Sequence, residues 1–400
     1  MSYTRSIFPK IKNRLEAPRH FIQVLAGPRQ VGKTTIALEL TRQLPHLSLY
    51  YTTEDAASYS TDWIDQVYES LRMRMQLENI STAVLIIDEI QKIPNWSDNI
   101  KKHWDRDSRE NRDIRLVLMG SSRLLIMDGL SESLMGRYEL TYVGHWQLHE
   151  MKDAFGFSTE QYLWFGGYPG AAPLIDDEMR FKAYIKNSII EPTLTWDILM
   201  TSKIEKPALL RQVLEIGLSY STQIVSFTKI LGQLQEAGNT TTIARYLRLL
   251  DEAGLLGGLN KYSGSLIRTK SSIPRFQAHN NALVSSATNI DFYNAMLNPA
   301  YWGNVVENSV GGYLVQQANE HPNIDLFYWR DGNEEIDFVV SVAGKIIGIE
   351  VKSGDEFISS KSREKFLRMF PDAKLLLIGK NGIPFETFMN ATLMDVMDAF

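Results

Sequence analysis

The stretch that most restricts what this chain can become is Gly27-Pro28-Arg29-Gln30-Val31-Gly32-Lys33-Thr34. It has the spacing G-x-x-x-x-G-K-[ST] and lies between an apolar run, Phe21–Ala26, and a helical stretch, Thr34–Leu44. The glycines let the backbone wrap around phosphate oxygens, so that amide N–H groups and the helix N-terminus face negative charge. Lys33 adds a point charge at the β- and γ-phosphates, and Thr34 offers a hydroxyl to Mg²⁺. All residues from Gly27 to Thr35 are expected at the nucleotide. A strand, then this loop, then a helix is the opening unit of a layered α/β sheet.

The rest of the first 170 residues agrees with that beginning. The runs Val84–Ile87 and Leu116–Met119 are short, apolar and bounded by polar residues or glycine, which reads as buried parallel strands. Helical stretches such as Trp63–Leu77 lie between them. Asp88-Glu89 closes the second run, and open parallel sheets bind their ligands at the carboxyl ends of strands. Asp88 is expected in the Mg²⁺ shell. Glu89 is expected to orient and deprotonate the attacking water.

Composition bounds the class. The chain has 400 residues, 44% hydrophobic and 22% charged, a balance that supports several folded cores rather than disorder. No run of about 18 apolar residues spans a bilayer and the N-terminus lacks a signal-like apolar stretch, so a cytoplasmic protein with no membrane partner is expected. The chain has no cysteine, which excludes disulfides, thiolate metal sites and a cysteine nucleophile. Any metal must therefore sit on oxygen or histidine. His103, His145 and His149 have no ligand spacing and read as packing or surface residues.

The net charge of −5 argues weakly against nucleic acid, but nine basic residues stand against four acidic ones between Lys206 and Arg275. Three helices and a glycine-rich extended piece in this segment have the spacing of a winged helix. Its third helix, about Thr240–Ala253, turns Ile243, Leu247 and Leu250 inward, leaving Arg245 and Arg248 to meet DNA phosphates together with Lys270. The expected organisation is an ATPase domain over 1–170, a helical lid over 171–205, a winged helix over 206–275 and a second α/β domain over 276–400.

That last domain carries a second constellation. Glu335–Val340 and Ile349–Lys352 read as adjacent strands bearing Asp337, Glu350 and Lys352. Alternation puts Glu350 and Lys352 on one face, so that Asp337 and Glu350 could share one Mg²⁺ with Lys352 beside the attacking water. Lys361 or Lys365 on the following helix could meet a phosphate.

The combination GPRQVGKTT, LIIDEIQKIPNW, LVLMGSSRLLI, ESLMGRYEL and FGGYPG resembles AAA+ ATPases with a DUF4143 C-terminal region, relatives of the archaeal-type ATPases. The resemblance spans nearly the whole chain. It implies ATP and Mg²⁺ as cofactors, Ser121 or Ser122 as the γ-phosphate sensor, and Arg137 as an arginine finger offered to a neighbouring subunit, with Arg123 as a competitor. It also implies Tyr168 or Pro169 near the base, and a homo-oligomer that extends to a hexameric ring. Asp337, Glu350 and Lys352 resemble the PD-(D/E)xK restriction-endonuclease-like family, and Glu307 matches that family's helical acid as a further metal ligand. Ile336 replaces the family's proline. The resulting expectation is an ATP-dependent DNA-processing enzyme coupled to a Mg²⁺-dependent endonuclease acting on branched DNA. The alternative is a regulatory switch ATPase with an inactive nuclease fold.

Overall fold

The computed structural model describes residues 3–55, 59–120, 130, 133–200, 202–234, 239–264 and 272–398. The chain divides into two compact units, Met1–Gly144 and His145–Phe400.

The first unit is built on five parallel strands, β1 (Ile22–Ala26), β2 (Leu47–Thr52), β3 (Thr82–Asp88), β4 (Asp113–Gly120) and β5 (Tyr138–Tyr142). Their order across the sheet is β2-β3-β4-β1-β5. Helices α1 (Phe8–Glu16), α2 (Lys33–Gln43), α3 (Thr61–Leu77) and α4 (Trp96–Arg109) cover it. The apolar runs lack alternation because both faces are buried. Leu85, Ile87, Leu116 and Leu118 pack with Ile64 and Leu71 of α3 and Ile100 of α4. Val84, Ile86, Val117 and Met119 pack on the other face with Ile36 and Leu40 of α2 and Ile11 of α1. Each such fully buried Leu, Ile or Val contributes about 1.5–3 kcal/mol. β2 is the exception. It lies at the sheet edge and every one of its residues is half-buried.

The second unit opens with α5 (Leu148–Phe155) and α6 (Thr159–Phe165), each started by a capping box, Gln147 with Glu150 and Ser158 with Gln161. After α7 (Glu178–Tyr184) the helical path widens into π-type turns over Ile185–Ile190 and Thr193–Leu199. Helices α8 (Pro207–Ser219), α9 (Phe227–Leu231) and α10 (Thr240–Glu252) then lead into β6 (Leu256–Lys261) and β7 (Arg275–Ala278), which pair antiparallel. Asn239 caps α10 by accepting from the Thr242 amide at 2.7 Å. Beyond α11 (Asn281–Ala287), α12 (Phe292–Met296) and the long α13 (Pro299–Glu320) come β8 (Ile324–Asp331), β9 (Glu334–Val342), β10 (Lys345–Lys352), α14 (Ser360–Met369), β11 (Lys374–Gly379), α15 (Phe385–Asn390) and α16 (Leu393–Asp398).

Two expected boundaries look different in the folded chain. The Gly166–Gly170 turn lies within the second unit, where Gly167 approaches Trp146 so closely that a Cβ would stand 2.0 Å from its carbonyl oxygen. Residues 206–275 and 276–400 share one six-stranded sheet, β11-β10-β9-β8-β6-β7, because β6 also pairs parallel with β8 through Asn260 and Lys261. Arg275, the first residue of β7, reaches Asp337 of β9 through its side chain.

Candidate functional site

In the first unit the phosphate loop leaves β1 at the carboxyl edge of the sheet and enters α2 at Lys33. The loop needs its glycines at both ends. A Cβ on Gly27 would lie 2.0 Å from the Val143 carbonyl oxygen, and Gly32 takes a left-handed φ of 93° that glycine adopts without cost. Gln30 is also left-handed, at φ 62°. From the other side of the loop the buried Arg5 guanidinium donates to the carbonyls of Val31, at 2.6 Å, and Gly144, at 3.3 Å.

Lys33 is buried and donates from Nζ to the carbonyls of Gly27 and Pro28, at 2.8 and 2.7 Å. Its ammonium thus sits inside the curve of the loop, where phosphate oxygens would replace those carbonyls as acceptors. Thr34 Oγ1 donates to Asp88 Oδ2 at 3.0 Å, and the Tyr50 hydroxyl donates to the same oxygen at 2.8 Å. The Glu89 amide donates to Asp88 Oδ1 at 2.9 Å. This donor set fits Mg²⁺ and a nucleotide. Asp88 and Thr34 already converge, and the two hydroxyls can turn to present lone pairs to a cation. Burial first, and then the hydrogen bond to Asp88, hold the Tyr50 phenol well above its ordinary pKa, so it remains a neutral hydroxyl.

Glu89 has a left-handed backbone, φ 54° and ψ 33°, which for a side chain of this kind stores about 1–3 kcal/mol. Neighbours hold that conformation: Thr53 Oγ1 donates to the Glu89 carbonyl at 2.9 Å, and Gln91 Nε2 donates to its carboxylate at 2.6 Å. A carboxylate at the end of β3 is thereby aimed by its own backbone and by a side-chain amide. Tyr50, Arg5 and Gln91 escaped the reading of the sequence. Tyr50 lies on the edge strand, Arg5 precedes the motif by more than twenty residues, and nothing in residue type marks either.

Arg137 stands at the amino end of β5, whose Tyr138 pairs with Ile22 at the start of β1. A five-residue strand spans roughly 17 Å, so Arg137 lies at the opposite edge of the sheet from its own phosphate loop. Its guanidinium pairs with Asp105 at 3.0 Å and is about one-third exposed. Ser121, Ser122 and Arg123 lie outside the described residues, as does Lys270. In the second unit Tyr168 is buried with its ring edge-on to His145, and Pro169 begins a short 3-10 turn, Pro169–Leu174. His103 is buried between Asp65, at 2.7 Å, and the Arg72 guanidinium, and it stacks on Tyr68. It is a packing residue, as expected.

The C-terminal constellation does assemble. Asp337 on β9 and Glu350 on β10 are both buried, and Lys352 Nζ pairs with Glu350 Oε1 at 2.8 Å. Burial, and then the Asp337 charge, push the Glu350 carboxyl up to about 7. Burial would lower the Lys352 pKa, but the charge and hydrogen bond of Glu350, with the charges of Asp337 and Glu356 added to them, together outweigh it and hold the ammonium above its ordinary range. A fifth group stands among them that motif spacing did not reveal. Arg275, on β7 and almost fully buried, ion-pairs through Nη2 with Glu307 of α13 and faces Asp337 Oδ1 at 3.5 Å. Glu307 and Asp337, both expected as metal ligands, thus face a guanidinium that the expected set did not include. Among the described residues no group of three or more acidic or histidine side chains is arranged to hold a metal ion. Lys365 is tied to Asp331, at 2.8 Å to both its carbonyl and its carboxylate, and Lys361 is exposed.

On α10 the expected division holds. Ile243, Leu247 and Leu250 are buried, and Arg245 and Arg248 face outward. Arg245 reaches the Lys203 carbonyl at 2.9 Å, and Arg248 stands 3.9 Å from Glu252 with its side chain 69% exposed.

Comparison with known families matches residues 19–152 to an AAA domain, AAA_14. Residues 157–293 and 302–392 match two domains of unknown function, DUF8612 and DUF4143. The five-stranded parallel sheet with its phosphate loop is thus a P-loop AAA+ domain. No curated protein matches the sequence. Among solved structures, the chain is similar to AMPPCP-bound DnaA from Aquifex aeolicus, with 13% identity, a TM-score of 0.34, and coverage of 63% of this chain and 90% of that one. The Thermotoga maritima RuvB Holliday junction branch migration motor gives 15% identity and a TM-score of 0.33, covering 62% of this chain and 88% of its own. The Aeropyrum pernix ORC1 protein in complex with DNA gives 12% and 0.32, covering 74% and 96%. No helix among the described residues is long and apolar enough to cross a membrane.

Proposed function

We propose that this chain is a Mg²⁺-dependent ATP hydrolase whose nucleotide cycle governs how its second unit engages DNA. The observation that carries the reading is Lys33 inside the curve of the phosphate loop together with the Thr34–Asp88 hydrogen bond at the carboxyl edge of the sheet, with Glu89 next in the chain and its carboxylate held by Gln91. Lys33 and the loop amides would hold the β- and γ-phosphates, and Thr34 and Asp88 would hold the ion, which supplies charge neutralisation when bound. Glu89, steadied by Gln91, orients water and accepts its proton. Arg137 lies too far from its own loop to serve it, so it acts on the nucleotide of a neighbouring copy in a homo-oligomer. The three helices α8 to α10 with the β6–β7 hairpin serve as a winged helix, and Arg245, Arg248 and Lys270 meet the phosphate backbone.

Phosphate release from ATP tests this. Lys33→Ala is expected to lose nucleotide binding, and Glu89→Gln to keep binding while hydrolysis falls by about 10²–10⁴-fold. Undiminished hydrolysis in Glu89→Gln removes the assignment of the base.

A second reading, a Mg²⁺-dependent endonuclease, is favoured by the Glu350–Lys352 pair beside Asp337. Its test is cleavage of branched, single-stranded and duplex DNA with Mg²⁺, with and without ATP, beside Asp337→Ala at equal concentration. Cleavage lost in that variant supports the endonuclease, and equal cleavage by both proteins excludes this site as its source.

A further inference from the structure

The geometry points to Arg275 as the resident cation of the C-terminal acidic cluster: its guanidinium takes the place of a divalent ion, and the cluster binds none.

The case begins with how many carboxylate oxygens are uncommitted. Asp337 Oδ1 faces Arg275, and Asp337 Oδ2 accepts the Val351 amide at 2.8 Å. Glu307 is ion-paired with Arg275. Glu350 Oε1 holds Lys352, which leaves Glu350 Oε2 and the second oxygen of Glu307 without a partner among the described residues. Mg²⁺ demands near-octahedral oxygen coordination and usually takes one or two carboxylates from the protein. Both free oxygens belong to carboxylates already ion-paired with Arg275 or Lys352, so a divalent ion placed there would sit against two fixed positive charges. A guanidinium has no lone pair to offer and cannot lose its charge, so unlike a hydroxyl it cannot turn and become a ligand.

Arg275 is also held in place from behind. Its Nε donates to the Thr222 carbonyl at 3.0 Å, its Nη1 donates to the Asp337 carbonyl, and its guanidinium lies 5.2 Å from the centre of the Phe338 ring. Thr222 is itself unusual. It is β-branched yet left-handed, at φ 69°, and the Phe276 carbonyl fixes it by accepting its amide at 2.8 Å. A conformation this unfavourable persists only where the surroundings over-determine it. The turn at Thr222 therefore serves to present a carbonyl to Arg275, and three elements that are distant in sequence cooperate to keep the cation in the cluster. The same contacts join the β6–β7 hairpin to the acidic sheet, so the arginine does structural work that a dissociable ion would not.

The experiment is Mn²⁺ binding to the full chain without nucleotide, read by calorimetry and by the electron paramagnetic resonance of free Mn²⁺, with wild type, Asp337→Asn and Arg275→Ala. Wild type is expected to show no Mn²⁺ site below about 1 mM that Asp337→Asn removes. Arg275→Ala leaves the carboxylates uncompensated, and it is expected to gain one Mn²⁺ per chain and a melting temperature that rises with Mn²⁺. Both gains should vanish in Arg275→Ala/Asp337→Asn. A wild-type Mn²⁺ site that Asp337→Asn abolishes overturns the inference. A wild-type site indifferent to Asp337 lies elsewhere and leaves the cluster metal-free, as inferred. Should Arg275→Ala fail to fold, the comparison of wild type with Asp337→Asn decides alone.

Discussion

The two acidic sites of this chain begin from similar raw material and end differently. In the first unit Asp88 closes a strand and meets Thr34 and Tyr50; in the second Asp337 and Glu350 lie on paired strands and meet Arg275 and Lys352. What separates them is the kind of donor on the carboxylate. Asp88 Oδ2 is held by two hydroxyls, which rotate and become acceptors when a cation arrives, whereas Asp337 is held by a buried guanidinium and a backbone amide, neither of which can. The first site is poised to exchange partners and the second is already neutralised from within. Carboxylates at matching spacings therefore have to be read together with the donors that already hold them.

The largest expected effect that sharpens this contrast concerns Arg137. If the first site is completed by a neighbouring copy, Arg137→Ala lowers ATP hydrolysis by about 10³-fold with little change in nucleotide affinity. Mixing it with Lys33→Ala should then recover activity through mixed interfaces. No recovery in verified mixed oligomers breaks the assignment, and the Asp105 pair becomes the whole account of this arginine.

The next effect lies in the second site. Burial and Asp337 raise the Glu350 carboxyl to about 7 from an ordinary 4.5, so the folded state binds its proton more tightly than the unfolded state does. The resulting stability is fully present below about pH 4.5 and is lost as the pH rises through about 7. Glu350→Gln lacks that loss. Chemical denaturation across this window should show the wild type falling relative to Glu350→Gln by on the order of 1–2 kcal/mol, and parallel curves would mean that Glu350 is better solvated than its burial indicates.

The smallest effect is on DNA. Arg245 and Arg248 each contribute a phosphate contact in the proposed reading, so replacing both by alanine should reduce the slope of log affinity against log salt by about 0.9 per arginine, without changing sequence preference. An unchanged slope in a binding titration returns them to ordinary surface charge.

The first unit was legible where the residues act through local sequence. The loop from Gly27 to Thr34 sits between its strand and helix, Asp88 ends β3, and the runs around Val84 and Leu116 are central strands. Strand β2 was not legible. An edge strand with every residue half-buried has neither a continuous apolar run nor clean alternation, and Tyr50 was lost with it. In the second unit the helix over Ser360–Met369 and the strands bearing Asp337 and Glu350 could be read, and so could the outward turn of Arg245 and Arg248. Arg275 could only be counted as one more basic residue. Its role depends on contacts with Glu307 and Asp337, on elements distant in sequence, which no local pattern encodes.

The central contrast is tested most directly by counting Mn²⁺ ions per chain on the full protein saturated with a non-hydrolysable ATP analogue. The account predicts one ion per chain, lost in Asp88→Asn and in Lys33→Ala and untouched by Asp337→Asn. A second ion that Asp337→Asn removes, or no ion at all with the analogue bound, would contradict it.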